Sequence, residues 1–362
     1  MDESGVWTET DRRTALKLFG AGAVTLGAGG VLGSALLSDG SVEITTVKRG
    51  DDPVVTESVP AAWYDHERQA RSVRDRLRSQ YADVDGVKEL SLGDAGERIE
   101  GRQTSSVDIY VDPEAGVDAD LPSRVDGVLS RVRDWVPPEL LRCEVDGDQP
   151  LAGNVPLTNG RGKWATATGA VRRDGRRYLL TCAHLFGGSK QGCDSLTGMG
   201  VFGPDEGYVG HVADFDPGQD WALVDGRYAG VSLDPTVAGE AGVLAGRVTR
   251  DGLADLKSRE TTVYKMGYRS GFQQGTVKAV DLHHGGCDVT DGRSGERYVD
   301  VDVPSKHGDS GGPVYHRYER DGDQFLALVG VTSALVGYTR VSTAAAIYDE
   351  HGIRFDPDVS TV

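Results

Sequence analysis

From about residue 164 onward the chain advances in short apolar runs, at 167–171, 177–181, 221–224, 277–282 and 325–332, each broken within a few residues by Gly, Asp or Asn. Runs of that length, with turn residues at that density, build the half-buried strands of a β-sandwich or β-barrel. Fifty glycines against 14 prolines supply the turns. That is nearly twice the usual ~7% Gly, and it points to tight turns instead of a collagen or linker protein. One helix, over 343–350, is expected to close the chain.

At 362 residues, with 38% hydrophobic and 26% charged side chains, the chain is long enough for two domains or for one large domain with an appendage. Its 39 basic and 56 acidic residues leave a net charge of −17, which argues against nucleic acid as a partner, because tracking phosphates needs a basic surface. The acidity is spread along the chain, much of it in Asp-x-Asp clusters, while Lys is scarce beside Arg. Such a surface suits high-salt water and a halophilic source; an ordinary acidic protein kept soluble by self-repulsion is the alternative. Four cysteines, Cys143, Cys182, Cys193 and Cys287, are too few and too unevenly spaced for a disulfide scaffold or a paired zinc motif, and leave room for one or two bridges.

The first 40 residues comprise a polar lead, the string Asp11-Arg12-Arg13-Thr14-Ala15-Leu16-Lys17, and a Gly/Ala-rich apolar stretch over 18–37. That order resembles a twin-arginine export signal. No lipobox cysteine and no clear Ala-x-Ala cleavage site follow, so the expectation is export, with either release or retention of the segment as a membrane anchor. Residues 41–60 read as a linker. An amphipathic, solvated helix is expected over 63–81, and alternating apolar and polar residues at 87–92 and 106–111 read as strands. A turn at 121–128 leads into a further short strand, and Pro137-Pro138 with 147–150 mark an exit. Together these define a small α/β domain over 61–147 ahead of a β domain over 151–362. There is no internal repeat.

Three motifs carry chemistry. In Gly308-Asp309-Ser310-Gly311-Gly312-Pro313-Val314 a Ser flanked by glycines can sit on a turn where backbone N–H groups converge on one point, as an oxyanion requires. A hydroxyl needs a base, and imidazole has the pKa for that task. His184 ends the strongly apolar Tyr178-Leu179-Leu180-Thr181-Cys182-Ala183-His184, and Asp220 stands immediately before the apolar Trp221-Ala222-Leu223-Val224, where its carboxylate could hold the imidazole tautomer. Singly, each has a bland reading as a satisfied histidine, a strand-starting Asp or a turn Ser.

Together, in the order His, Asp, Ser, they resemble the chymotrypsin-like (trypsin-superfamily) serine peptidases. The string Val263-Tyr264-Lys265-Met266-Gly267-Tyr268-Arg269-Ser270-Gly271-Phe272-Gln273-Gln274-Gly275-Thr276-Val277 is similar to a Gly-punctuated strand pair of bacterial, streptogrisin-like members, and Gly330-Val331-Thr332-Ser333 to their pocket-lining strand. The resemblance implies two six-stranded Greek-key β-barrels with the active site in the seam, His184 and Asp220 coming from the first and Ser310 from the second. It implies an oxyanion hole at the N–H groups of Gly308 and Ser310. It also puts Pro304 at the floor of the specificity pocket, with Ser333 and Leu335 along its wall, and so a preference for a small or medium apolar residue before the scissile bond. The N-terminal activation string of animal members has no counterpart ahead of Trp164. The resemblance therefore implies an internal cation for Asp309, placed at Lys265 with Arg269 as the local alternative and a solvated Lys265 as the bland one. The family's usual disulfides do not carry over; Cys182 pairs with Cys193 or is a buried thiol.

The function so implied is that of an exported serine endopeptidase acting on protein or peptide through an acyl-enzyme, with no cofactor and no metal, and with membrane contact only if the signal segment is kept. The rivals are a protease-like binding protein without turnover, and an esterase or a peptidase acting only on itself. The α/β domain would be a folding-assisting pro-region or a permanent accessory domain. His283-His284 with Cys287, and Asp214-Phe215-Asp216, lack the ligand spacing of zinc and EF-hand calcium sites, and read as a β-loop and a solvated face.

Overall fold

The computed structural model describes residues 40–355 except 116, 118–120, 138, 141–154, 188–195, 205–206, 230–232, 234, 283–297 and 321. The twin-arginine segment, His283, His284, Cys143, Cys193 and Cys287 lie outside the described residues.

The chain begins with β1 (Ser41–Arg49) and β2 (Asp52–Pro60), then α1 (Ala61–Tyr81) and the long pair β3 (Val87–Ile99) and β4 (Arg102–Val111). Three short strands follow: β5 (Arg124–Val125), β6 (Val128–Asp134) and β7 (Glu139–Leu140). Next come β8 (Pro156–Thr158), β9 (Trp164–Thr166), β10 (Gly169–Arg173), β11 (Arg176–Thr181), β12 (Gly200–Phe202), β13 (Tyr208–Asp216) and β14 (Trp221–Asp225). The remainder is β15 (Leu244–Val248), α2 (Arg250–Ser258), β16 (Thr262–Gly267), β17 (Gly271–Leu282), β18 (Tyr298–Val301), β19 (Pro313–Arg320), β20 (Asp323–Leu335), β21 (Thr339–Thr343) and α3 (Ala344–His351).

The protein is mainly β, consistent with two trypsin-like barrels. Seven strands, in the order β10-β11-β14-β13-β12-β8-β9, form a curled sheet. Six others close a ring by successive pairings, β16 with β17, β17 with β18, β18 with β21, β21 with β20, β20 with β19, and β19 back to β16. Closure removes the edges of that sheet. Each barrel has its own apolar filling: Leu157, Leu185, Val201, Val212 and Val224 among others in the curled sheet, and Val263, Val277, Val299, Val314 and Val341 in the ring.

Residues 41–60 are a hairpin and not a linker, and they belong to the same sheet as the ring. Val47 of β1 sits opposite Val248 of β15, which in turn lies parallel to β20. Alternate side chains Val42 and Ile44 are buried against Trp63 of α1, while β2 is an edge strand with much of its length exposed, and this explains its polar composition. α1 matches its periodicity, burying Trp63, Ala70, Val73, Leu77 and Tyr81 on one face. The α/β segment is not separate either. Leu92 of β3 pairs with Val280 of β17, and Val73, Leu77, Leu92, Val107 and Ile109 share one core with the ring's Val263, Val277 and Val301.

α2 was not expected from the sequence. Its N-terminus is capped by Thr249, whose Oγ1 accepts a hydrogen bond from the Gly252 N–H at 2.9 Å. α3 is capped in the same way by Thr343 and ends at Gly352, whose φ of +65° a Cβ would disfavour.

Candidate active site

His184 lies in a single 3₁₀ turn, Ala183–Leu185, just past the end of β11, and Asp220 just before β14. Because Thr181 of β11 pairs with Ala222 of β14, the two side chains emerge next to each other. Asp220 has a φ of +52°, a conformation that Asp tolerates better than most residues, and its carboxylate grips His184 twice. Oδ1 accepts the His184 backbone N–H at 2.9 Å, and Oδ2 lies 2.7 Å from Nδ1. Ser310, on the turn before β19 of the ring, places Oγ 2.9 Å from His184 Nε2. Nδ1 therefore faces a carboxylate and Nε2 a hydroxyl, which is the tautomer arrangement a Ser–His–Asp relay needs.

The turn bearing Ser310 is held across the seam by hydroxyls of the other sheet. Thr166 Oγ1 donates to the Gly308 carbonyl at 2.9 Å, the Thr166 N–H to the Ser310 carbonyl at 2.7 Å, and Thr168 Oγ1 to the Gly311 carbonyl at 2.6 Å. Two glycines are obligatory here. Gly308 has φ +96° and faces the Tyr268 ring, while Gly311 has φ +80° and lies against the Thr166 carbonyl and Thr181 hydroxyl, so neither has room for a Cβ.

Beneath this turn Asp309 and Lys265 are both fully buried, with Lys265 Nζ 2.6 Å from Asp309 Oδ2. The carboxylate also accepts N–H bonds from Lys306 at 2.8 Å, Ser270 at 3.0 Å and Arg269 at 3.1 Å. Arg269 thus contributes its backbone, while its guanidinium lies over the Tyr268 ring. Burial alone would raise the Asp309 pKa; the Lys265 ammonium and the N–H donors outweigh it and hold the carboxyl below the usual range. Burial lowers Lys265 against the opposing pull of Asp309.

Burial would likewise depress His184, but the Asp220 carboxylate prevails, with a further contribution from Cys182, and the imidazole is held well above its ordinary value. Cys182 is a buried thiol with Sγ 3.8 Å from His184 Nε2.

Ser333 was expected on the pocket wall. Its side chain is buried, and its hydroxyl donates to Asp220 Oδ2 at 2.5 Å. It is a support of the carboxylate, a contact between residues 113 positions apart that no local motif announces. Pro304 is exposed outside any strand, and Leu335 is half-buried at the end of β20. Asp214 pairs with Arg173, as a solvated face would. Ligand atoms of Asp216, Glu350 and His351 lie within 4.8 Å of one another and could meet a cation, but Asp216 Oδ1 is already committed to the N–H groups of Gly218 and Gln219.

Residues 167–321, which contain all three of His184, Asp220 and Ser310, match the family model of the trypsin-like peptidase domain. Among solved structures, the chain is similar to protease A of Thermobifida fusca at 17% identity, covering 57% of this chain and 98% of that one, with a TM-score of 0.37. It is also similar to a glutamic acid-specific serine protease (16% identity, 57% and 100% covered, TM-score 0.39) and to a protease of M. tuberculosis in its active form (16% identity, 56% and 81% covered, TM-score 0.30). No curated protein matches the chain.

Proposed function

We propose that the protein is a serine endopeptidase exported by the twin-arginine route, hydrolysing peptide bonds through an acyl-enzyme. The observation that carries the peptidase reading is the chain of contacts from Ser310 Oγ to His184 Nε2 (2.9 Å) and from His184 Nδ1 to Asp220 Oδ2 (2.7 Å), while export rests on the sequence around Arg12-Arg13. Ser310 Oγ attacks the substrate carbonyl carbon while its proton passes to Nε2. Asp220 stabilises the imidazolium that forms, and the N–H groups of Gly308 and Ser310 receive the oxyanion. Collapse of the tetrahedral intermediate breaks the C–N bond, and the departing amine takes the proton from Nε2. Water, deprotonated by the same imidazole, then cleaves the ester and restores Ser310. Lys265 and Asp309 position the oxyanion loop. The resemblance puts Pro304 and Leu335 around a slot suited to a small or medium apolar residue.

Among the described residues no helix is long and apolar enough to cross a membrane. The test is turnover of peptide substrates together with a serine-directed phosphonate probe, in high salt. Adduct on Ser310 with turnover supports the endopeptidase. Turnover retained above about a tenth in Ser310→Ala refutes the nucleophile, since a factor of ten is only ~1.4 kcal/mol.

A further inference from the structure

Acidic side chains are spread through the chain, 56 of them in 362 residues, yet they avoid the surroundings of Ser310. Four stretches meet there: 155–187 with His184, 264–280 with Lys265 and Arg269, 303–308 leading into the Ser310 turn, and 330–348, whose Thr332 carbonyl accepts the Gly311 N–H at 2.8 Å. Together they contain one acidic residue, Asp174, at the tip of the β10–β11 hairpin beside Arg173. Asp220 and Asp309 are buried, and each is already answered, by His184 and by Lys265. What the rim presents is positive charge.

The loop between β8 and β9 brings two of these charges. Buried Asn159 fixes it: Nδ2 donates to the Leu185 carbonyl at 2.9 Å, next to His184, while Oδ1 accepts the N–H groups of Arg161 at 2.8 Å and Lys163 at 3.4 Å. The chain then enters β9, whose Thr166 holds the Gly308 and Ser310 carbonyls. Arg161 and Lys163 are exposed, and among the described residues neither has an ion-pair partner. Beside the Ser310 turn, the Arg269 side chain lies along Gly308, and Lys306 and His307 are exposed just before it. The departing amine takes its proton from His184 Nε2, so the peptide beyond the scissile bond passes the His184 turn to which the Asn159 loop is tied.

We infer that Arg161 and Lys163, with Arg269 and Lys306 across the Ser310 turn, form a subsite for acidic side chains on the leaving-group side, so that the preferred substrates carry Asp or Glu just after the scissile bond. The inference rests on the peptidase reading above and concerns other substrate positions than the one before that bond. The net charge of −17 does not oppose it. At ~0.1 M salt the screening length is ~10 Å, and a bound peptide feels the charges along its own path more than the remote acidic surface. Each exposed pair contributes a factor of only ~1.4 to 5, but several act on one peptide, and the same charges repel a basic one.

The experiment compares three peptides with the same acyl side and Asp-Asp, Ser-Ser or Lys-Lys after the scissile bond. Turnover is read in the full-length wild type and in Arg161→Glu with Lys163→Glu; binding is read by fluorescence anisotropy in a Ser310→Ala background, where the peptide stays whole. The wild type should favour Asp-Asp over Lys-Lys about tenfold in kcat/KM, with the difference in KM, and binding should follow the same order. The double Glu variant should reverse that order while hydrolysis of the Ser-Ser peptide is unchanged. Arg161→Ala with Lys163→Ala, which adds no charge, should flatten it. Raising the salt to ~1 M, where the screening length is ~3 Å, should shrink the preference. Equal turnover of the three peptides, or an order that both double variants leave unchanged, overturns the inference and leaves the peptidase standing. Charge-ordered binding to Ser310→Ala protein with no turnover of any peptide by the wild type overturns the peptidase reading instead, and leaves the subsite as a binding surface for acidic peptides.

Discussion

Lys265→Met tests how the oxyanion loop is maintained. The side chains of Lys265 and Asp309 are both 0% exposed, and Nζ lies 2.6 Å from Oδ2. Removing one partner of such a buried pair costs ~3 to 5 kcal/mol, because the remaining charge is stranded in low dielectric. Here Asp309 would keep three backbone N–H donors, from Lys306, Ser270 and Arg269, so the lower end, ~3 kcal/mol, is expected. For a chain of this size that is a drop in Tm of roughly 4 °C. The sign with pH follows from the depressed Asp309 pKa: the pair's stabilisation is present above the unfolded carboxylate pKa and lost as pH falls through the lower folded value. The wild-type and variant Tm curves should accordingly converge in acid. Because Asp309 adjoins Ser310, kcat should fall more than KM changes, and Lys265→Met with Asp309→Asn should recover stability. The assays are thermal unfolding across pH and steady-state peptide hydrolysis. Unchanged Tm and turnover in Lys265→Met would refute the reasoning.

Ser310→Ala and His184→Ala should each abolish peptide turnover to a residue set by binding and oxyanion contacts, with Tm little altered, checked by kinetics and circular dichroism. The acid limb of kcat/KM should lie above the ~6.5 of an ordinary imidazole, since the base must be neutral and Asp220 raises its pKa; Asp220→Asn should move the limb downward, and a wild-type limb at or below 6.5 would contradict this. Ser333→Ala should lower kcat modestly while leaving phosphonate labelling of Ser310 detectable; an unchanged pH–rate profile would count against its hold on Asp220. Residues 151–362 expressed alone in high salt should be insoluble or inactive, because they lack Val73, Leu77, Leu92 and Val107 from the shared core, and soluble active protein would show the opposite.

The parts of this molecule that were legible in the sequence are those whose determinants are local. α1 follows from a 3.6-residue apolar period, β11 and β14 from short apolar runs, and the Ser310 turn from glycines that have no room for a Cβ. What escaped depends on distant partners. β1 and β2 read as a linker because a polar edge strand looks like loop until β15 is there to pair with it. α2 is nine residues with Gly252 in its first turn, a poor helix former overruled by the Thr249 cap and by burial of Leu253 and Leu256. The hold of Ser333 on Asp220 escaped because spacing along β20 says nothing of which way its hydroxyl turns.

Charge burial determines whether the segment before residue 150 could ever leave. Arg340 of β21 is almost fully buried and bridges two carboxylates, Glu89 of β3 at 2.9 and 3.0 Å and Asp300 of β18 at 3.0 and 3.1 Å. Lys257 of α2 is buried with Nζ on the Gly93 carbonyl at 3.0 Å, and Asp281 of β17 meets Arg250 at 3.1 Å while its carbonyl takes Arg74 of α1 at 2.5 Å. Departure of β3 and α1 would take the Gly93 carbonyl from Lys257 and Glu89 from Arg340, leaving Arg340 only Asp300, and would expose the apolar ring face at once. Each stranded buried charge costs several kcal/mol unless water reaches it, so a cut in the connecting chain should not separate the pieces. A specific protease site inserted after residue 150 and cleaved to completion should leave two bands under denaturing conditions and one species by native size exclusion. Glu89→Gln and Asp300→Asn with Arg340→Leu, which removes all three charges together, should keep that association, whereas Arg340→Leu alone should weaken it by leaving Glu89 and Asp300 facing each other. Fragments that part on simple dilution in the wild-type sequence would show that the N-terminal segment is held by its tether and not by the shared core.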